Sequence, residues 1–434
     1  MKGTNKEILR IAVPAIVTNI TVPLLGLIDL SIAGHLGEIK YIGVISIGAM
    51  IFNLIYWNFG FLRMGTTGMT AQFYGSKNEK MIASTLYRAL IIAVSIGVFL
   101  LLFQNPVGDF ALWALAPSES VKELALKYFH ICVWGAPALL TTLVIKGWLL
   151  GMQNSKYPMI IAVSINILNI FFSLMAVFVF KVGFIGIAIG TVLAEYSGTF
   201  IAITLLLSKY RKNLMPIGVK SLINGGGIGR FFKVNSDIFF RSLFLQAVTF
   251  SFTTIGARAG DVILAVNAMI MQLYLFYSYF LDGFAFAGEA IVGRNYGAGD
   301  FAEMKKSVRN LFAWGFGVAL IFTSVYGFGL EYIVPFLTDD VSMFDAIVDN
   351  RLWCILFPVL GVSAFIWDGV FIGLTATRQM LMCTLCAAAG FFALYFLGGV
   401  EFSNIRLWSA FLTFLVIRGI VLAVFYKLKF KPER

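Results

Sequence analysis

Asp29 stands in the string PLLGLIDLSIAGHLG (23–37), with apolar residues on both sides. An ionisable side chain at the centre of a bilayer costs about 2.5–3.5 kcal/mol on insertion scales, so each one is a functional candidate by default. On a helix, Asp29 shares its face with Leu25, Gly26, Ile32 and Ala33. The small Gly26 and Ala33 permit close packing or a small cavity there. Pro23, less than two turns earlier, predicts a kink. A carboxyl group in such surroundings can take up a proton and release it. The structural alternatives are an internal ion pair that locks two helices, or a residue near a span end that reaches water.

Other charges fall inside apolar segments. Asp368 lies in FIWDGVFIGLTATRQM, and Lys146 sits 222 positions before it. An acid in one half and a base in the other read either as a pair across the halves or as two separate sites. Asp282 and Glu289 are seven apart in LDGFAFAGEA, on one helical face. Asp237 and Arg241 are at i and i+4 and most simply pair with each other. Glu195 and Arg418 read as structural, and Arg63 can pair with any of the acids. His35 reads as a surface residue, and nothing in the sequence supplies a partner for His130. Cys383 and Cys386 form a CxxC without a further Cys pair or His nearby, so they read as helix neighbours rather than a metal or redox pair. No Ser-His-Asp set, metal cluster or nucleotide fingerprint gives an enzyme its chemistry, and no cofactor is implied.

The elements that hold these residues are set by composition. Of 434 residues, 59% are hydrophobic and 13% charged, and the mean hydropathy is +0.88. Soluble domains carry about 25% charged residues. Lipid offers no partner to a bare backbone, so the long apolar runs predict an all-α integral membrane protein. Spans are expected at 8–34, 41–73, 84–104, 124–150, 158–180, 183–207, 231–257, 262–292, 306–333, 345–373, 379–399 and 406–426. The first reads as a retained transmembrane helix, because no short apolar core with a small-residue cleavage site stands out.

The net charge of +11 sits mostly in short loops, which argues for topology rather than a nucleic-acid partner. Of 33 Lys and Arg residues, 22 fall on the side that holds both termini, 7 on the other, and Arg63, Lys146, Arg241 and Arg418 inside spans. Both termini are therefore expected in the cytoplasm. The basic segment 208–230 carries Pro216 and Gly225-Gly226-Gly227 and reads as a linker between an N-terminal lobe, 1–207, and a C-terminal lobe, 231–434. Lys220-Ser221 precedes the glycines, the reverse of a phosphate-binding loop.

The halves repeat at a shift of 222. Tyr74-Gly75 answers Tyr296-Gly297, Gly147 and Gly151 answer Gly369 and Gly373, and Gly34 answers Gly256. AQFYGSKNEKM matches GRNYGAGDFAEM with one extra residue, and KGWLLG matches DGVFIG. Six spans per half give both halves the same orientation, a plan that recurs in secondary transporters.

The strings LIDLSIAGHLG (27–37), FGFLRMGTTGMTAQFYG (59–75), NSDIFFRSLFLQ (235–246), LDGFAFAGEAIVGRNYG (281–297) and WDGVFIGLTATRQM (367–380) resemble the multidrug and toxic compound extrusion (MATE) family, and its DinF branch above all. That resemblance implies a V-shaped bundle of two six-helix lobes, which rock to export organic, often cationic, compounds against an inward flow of H⁺ or Na⁺. It carries the coupling acid of the branch onto Asp29, and the second-lobe acids of other branches onto Asp368, Asp282 or Glu289. Relatives with an acid in the fifth span would have it at Ser173; here Asn169 and Ser173 remain to hydrogen-bond a protonated Asp29. We expect a monomeric multi-pass protein of the bacterial cytoplasmic (inner) membrane, with lipid and small-molecule substrates as its partners. H⁺ is favoured over Na⁺, because a hard cation wants several oxygen ligands and Asp29 has few in sequence. A lipid or lipid-linked precursor flippase, a passive channel and a non-transporting scaffold are the alternatives.

Overall fold

The computed structural model describes residues 2–36, 38–115, 119–218, 222, 228–336, 341–397, 399 and 403–429. Lys220-Ser221, the glycine run 225–227, Lys431 and Arg434 lie outside the described residues. The helices are α1 (Lys2–Gly34), α2 (Ile39–Asn58), α3 (Phe61–Gly75), α4 (Glu79–Leu102), α5 (Gln104–Leu115), α6 (Glu119–Cys132), α7 (Ala136–Gly151), α8 (Lys156–Leu174) and α9 (Ile185–Tyr210). They continue as α10 (Ile228–Ala257), α11 (Asp261–Gly297), α12 (Phe301–Ile333), α13 (Val341–Asp349), α14 (Arg351–Gly373), α15 (Thr377–Leu397) and α16 (Asn404–Lys429). Among the described residues, 12 helical runs are long and apolar enough to cross a membrane, one at each expected span.

α1 is one helix through Pro14 and Pro23. Around Gly26 there is open space, and Ala33 is fully buried. One expectation changes in detail. The tenth span divides at Asn350, which separates α13 from α14. There the Asn350 side-chain amide donates to the Ala346 carbonyl at 2.8 Å, and its oxygen accepts from the Trp353 indole at 3.3 Å. An Asn that bonds the preceding turn competes with helix continuation.

The chain forms two compact units, Val17–Asn235 and Met1–Ile16 with Ser236–Arg434. They are called the N-terminal and C-terminal units below. Their boundaries differ from lobes of 1–207 and 231–434, because the opening segments of α1 and α10 each belong to the other half's unit. Short polar and steric contacts account for this. Thr4 Oγ1 donates to Glu303 Oε1 at 2.6 Å, and Arg294 donates to Glu7 at 2.8 Å. A Cβ on Gly283 would lie 2.9 Å from the Ala12 carbonyl oxygen, so only glycine lets α1 approach α11 this closely. At α10, Arg230 donates to Gln72 at 2.6 Å, and a Cβ on Gly65 would strike Asn235.

Packing repeats as the sequence does. A Cβ on Gly147 would lie 2.5 Å from the Arg63 carbonyl oxygen, and one on Gly369 would lie 2.2 Å from that of Ala285. Gly151 meets the Thr67 carbonyl at 2.8 Å and Gly373 meets that of Glu289 at 2.9 Å. Asn78 caps α4 by accepting from the Met81 amide, and Asp300 caps α12 by accepting from that of Glu303. Such caps satisfy amides the helix leaves bare. Buried aromatic side chains bring their polar ends to carbonyls in both units: Trp148 donates to Ile82 at 3.1 Å and Tyr277 to Pro358 at 2.7 Å.

Candidate functional site

Asp29 lies in the part of α1 that belongs to the N-terminal unit. Its Oδ1 atom is buried and has no hydrogen-bond partner among the described residues. Beside it, on α6, Tyr128 and Cys132 lie within electrostatic reach. Gly48 leaves room for the tyrosine, since a Cβ there would lie 2.6 Å from the Tyr128 ring. The ring also packs against Phe184 at 5.8 Å and Phe52 at 6.5 Å.

Tyr128 also lies close to Thr191 on α9, where a polar chain joins α8 and α9. Asn169 on α8 donates to Thr191 Oγ1 at 3.1 Å, and Ser173 donates to Asn169 Oδ1 at 3.4 Å. Thr191 in turn donates to the Ile187 carbonyl at 3.0 Å. α8 and α9 touch closely enough that a Cβ on Gly190 would lie 2.4 Å from Ser173 Oγ. Asn169 and Ser173 are therefore joined to each other and to Thr191, and no hydrogen bond joins either to Asp29. Tyr128, Cys132 and Thr191 escaped the sequence reading, because an uncharged polar residue in an apolar run carries no spacing signal that separates it from ordinary packing.

A second group in the same unit holds Lys146 on α7 and Glu195 on α9, which interact electrostatically, with Arg63 on α3 as a further neighbour of Lys146. The C-terminal unit carries the counterpart. Asp368 on α14 accepts from Arg418 on α16 at 2.5 Å and from Arg241 on α10. Both arginines address the same oxygen, Oδ2. Asp368 and Lys146 thus belong to separate sites, each with its partner inside its own unit. The expected pair of Asp237 with Arg241 does not form. Arg241 turns to Asp368, and Asp237 accepts from Thr377 Oγ1 at 2.8 Å. Glu289 is buried on α11, and Asp282 acts electrostatically on Tyr274 and Tyr279. His35 bonds the Ser31 carbonyl, and His130 contacts Gln104.

In chemical terms, the first site offers a carboxyl oxygen that can be satisfied by a proton or a cation, next to a chain of neutral donors and acceptors. The second offers a carboxylate already held by two cations.

Comparison with known proteins places this arrangement. A sequence model of the MatE family matches residues 14–175 and 238–395, one segment in each half. DNA damage-inducible protein F of Escherichia coli K12 is 39% identical over 98% of this chain and 93% of its own length. Among solved structures, an outward-facing multidrug resistance MATE family transporter of the MOP superfamily superposes with a TM-score of 0.86 at 17% identity, over 98% of this chain and 96% of that one. The Vibrio cholerae MATE transporter VcmN in its bent form gives 0.86 at 15% identity, over 99% and 98%. The family match covers most of the chain, and the relative from E. coli matches nearly all of it, so the chain belongs to the MatE family.

Proposed function

We propose that this protein exports small organic compounds, cationic or amphipathic, from the bacterial cell in exchange for inward-moving H⁺, with Asp29 as the coupling residue. The observation that carries this reading is the buried, unbonded Oδ1 of Asp29. A neutral carboxylic acid needs no counter-ion, whereas an ionised one without donors is costly away from water. Proton binding and release at this position therefore change the energetics of the helices around it. Asn169, Ser173 and Thr191, hydrogen-bonded in a chain on α8 and α9, supply neutral polar groups that answer that change.

The same geometry favours H⁺ over Na⁺. Thr191 Oγ1 and Asn169 Oδ1, oxygens of the polar chain on α8 and α9, already accept hydrogen bonds, and a hard cation requires several oxygen ligands. Each proton that crosses releases roughly 2.3 kcal/mol per 100 mV, so one or two per cycle support modest concentrative export. Names among the relatives are in keeping with export: proteins called probable multidrug resistance protein NorM in Bacillus anthracis and B. cereus are 24% identical. The bias of basic residues supports a cytoplasmic position for both termini.

The test is efflux of ethidium from drug-sensitive bacteria that express wild type or Asp29→Asn at equal membrane abundance, with a protonophore in a parallel arm. Loss of efflux with both the substitution and the protonophore supports the reading. Wild-type efflux from the mutant removes Asp29 from the mechanism, and efflux driven by an imposed Na⁺ gradient alone replaces the coupling ion.

A further inference from the structure

A column of three aromatic rings leads away from Asp29 within the N-terminal unit. Tyr128 on α6 lies within electrostatic reach of the carboxyl group. Phe184, the residue before α9, packs against Tyr128 at 5.8 Å between ring centres. Tyr41, at the start of α2, stacks on Phe184 at 4.9 Å with the planes 7° apart. Exposure rises along the column: Phe184 is buried, Tyr41 is half-buried, and Glu38 and Lys40 beside it are exposed. Successive spans alternate in direction, so α1 ends where α2 and α9 begin. Asp29 lies five residues before the end of α1, and the two outer rings therefore stand on the short route from solvent to its carboxyl group.

The two rings are mounted differently. Phe184 follows a tight backbone turn: Gly183 has φ 73°, its carbonyl accepts from the Gly186 amide at 3.0 Å, and the Val182 amide donates to the Ala176 carbonyl at 3.0 Å. Tyr41 is held by side chains instead. Its hydroxyl donates to Glu38 Oε1 at 2.7 Å, and Glu38 Oε2 pairs with Lys40 at 2.5 Å. An exposed clasp of this kind is weak. Glu38 lies on the connection from α1 to α2, so a shift of the outer end of α1 reaches the clasp directly.

We propose that Tyr41 is a lid seated on Phe184 that governs how water and protons reach Asp29, with Glu38 and Lys40 as its clasp. Two stacked rings leave no file of hydrogen-bonded water between them, and an apolar constriction shuts by excluding water. The inference rests on the export reading for the use made of the proton; the lid itself concerns only access to Asp29.

Cys132 serves as the reporter. It is a buried native thiol, one turn beyond Tyr128 on α6 and also within electrostatic reach of Asp29. The full-length protein, purified in detergent, is treated with a small water-soluble methanethiosulfonate, and labelling of each cysteine is timed by mass spectrometry. Cys354, buried in the C-terminal unit, reports loosening of the whole fold, and the exposed Cys386 reports reagent activity. Tyr41→Ala and Phe184→Ala are each expected to speed labelling of Cys132 by about tenfold or more, as local opening does, and to leave Cys354 unchanged. Phe184→Tyr, which keeps the ring, should label as wild type does. Glu38→Gln, which keeps both rings and weakens the clasp, should speed Cys132 by roughly threefold. Cys132 rates unchanged in both alanine variants would overturn the proposal. If an alanine variant speeds Cys354 as much as Cys132, Glu38→Gln decides, and an unchanged Cys132 rate there overturns it. Labelling in detergent needs no transport, so ethidium efflux that still depends on Asp29 would leave the export reading standing after either negative result.

Discussion

Lys146 and Asp368 occupy the same place in the two repeats, on α7 and α14, yet they carry opposite charges. The partner reverses too: Lys146 faces Glu195 on α9, and Asp368 faces Arg418 on α16. The helices around them keep the same glycine contacts, with Gly147 against Arg63 and Gly369 against Ala285. Backbone packing has thus been held while the electrostatics diverged. The N-terminal unit leaves a carboxyl oxygen of Asp29 unbonded, whereas the C-terminal unit surrounds its carboxylate with two cations. An unpartnered acid can change its charge at modest cost to its neighbours. A doubly paired one resists that change, because protonation would leave buried cations without a counter-charge.

The largest effect expected from this contrast is on stability. Asp368→Asn breaks a buried ion pair from one side and should cost about 3–5 kcal/mol, read as a fall in unfolding temperature. Asp29→Asn removes no hydrogen bond from Oδ1 and should change stability by less than about 0.5 kcal/mol. A mutant pair with equal losses would erase the distinction between the two acids. The transport readout should run the other way: Asp29→Asn lowers gradient-driven efflux at least tenfold at wild-type abundance.

Next come the shared glycines. Gly147→Ala and Gly369→Ala each force a Cβ into a carbonyl oxygen on the neighbouring helix and should cost about 1–3 kcal/mol. If the repeats pack alike, thermal denaturation will show similar losses for both. A loss at one glycine alone would mean that the shared spacing has lost its structural role in one unit.

The smallest effect concerns a turn. Lys77 has φ 54° and its repeat equivalent, Gly299, has φ 74°. A side chain in this left-handed region costs roughly 1 kcal/mol that glycine avoids. Lys77→Gly should therefore stabilise the protein slightly, and Gly299→Ala should destabilise it by a similar amount. A fall in unfolding temperature for Lys77→Gly would show that the lysine side chain contributes more than its backbone strain removes.

The spans were readable because hydropathy and helix length are local properties, and 41–73 or 379–399 could be marked without knowing any neighbour. The offset of 222 was readable for a similar reason, since Gly147, Gly151 and their equivalents mark sites where the backbone of another helix must pass. Partners were not readable. Asp237 and Arg241 sit at ideal spacing for a pair, yet both turn outward from their own helix, to Thr377 and Asp368. A weak helical pair, worth a few tenths of a kcal/mol, loses to a buried contact with a residue more than a hundred positions away. Tyr128 and Thr191 were hidden for the same reason. The place of Tyr128 beside Asp29 and of Thr191 beside Asn169 depends on how separate helices meet, which no single helix encodes.

The exchanged opening of α1 has a consequence for synthesis. Thr4 and Glu7 find their partners at Glu303 and Arg294, so nearly 300 residues must be made before the first helix can finish docking. During translation the start of α1 waits in the membrane with its polar contacts unmade. The N-terminal unit contains none of the chain's first sixteen residues, so the docking of the first segment made depends on the half made last. A chain cut in the 208–230 segment and expressed as two pieces should regain its native stability only when both pieces are present together.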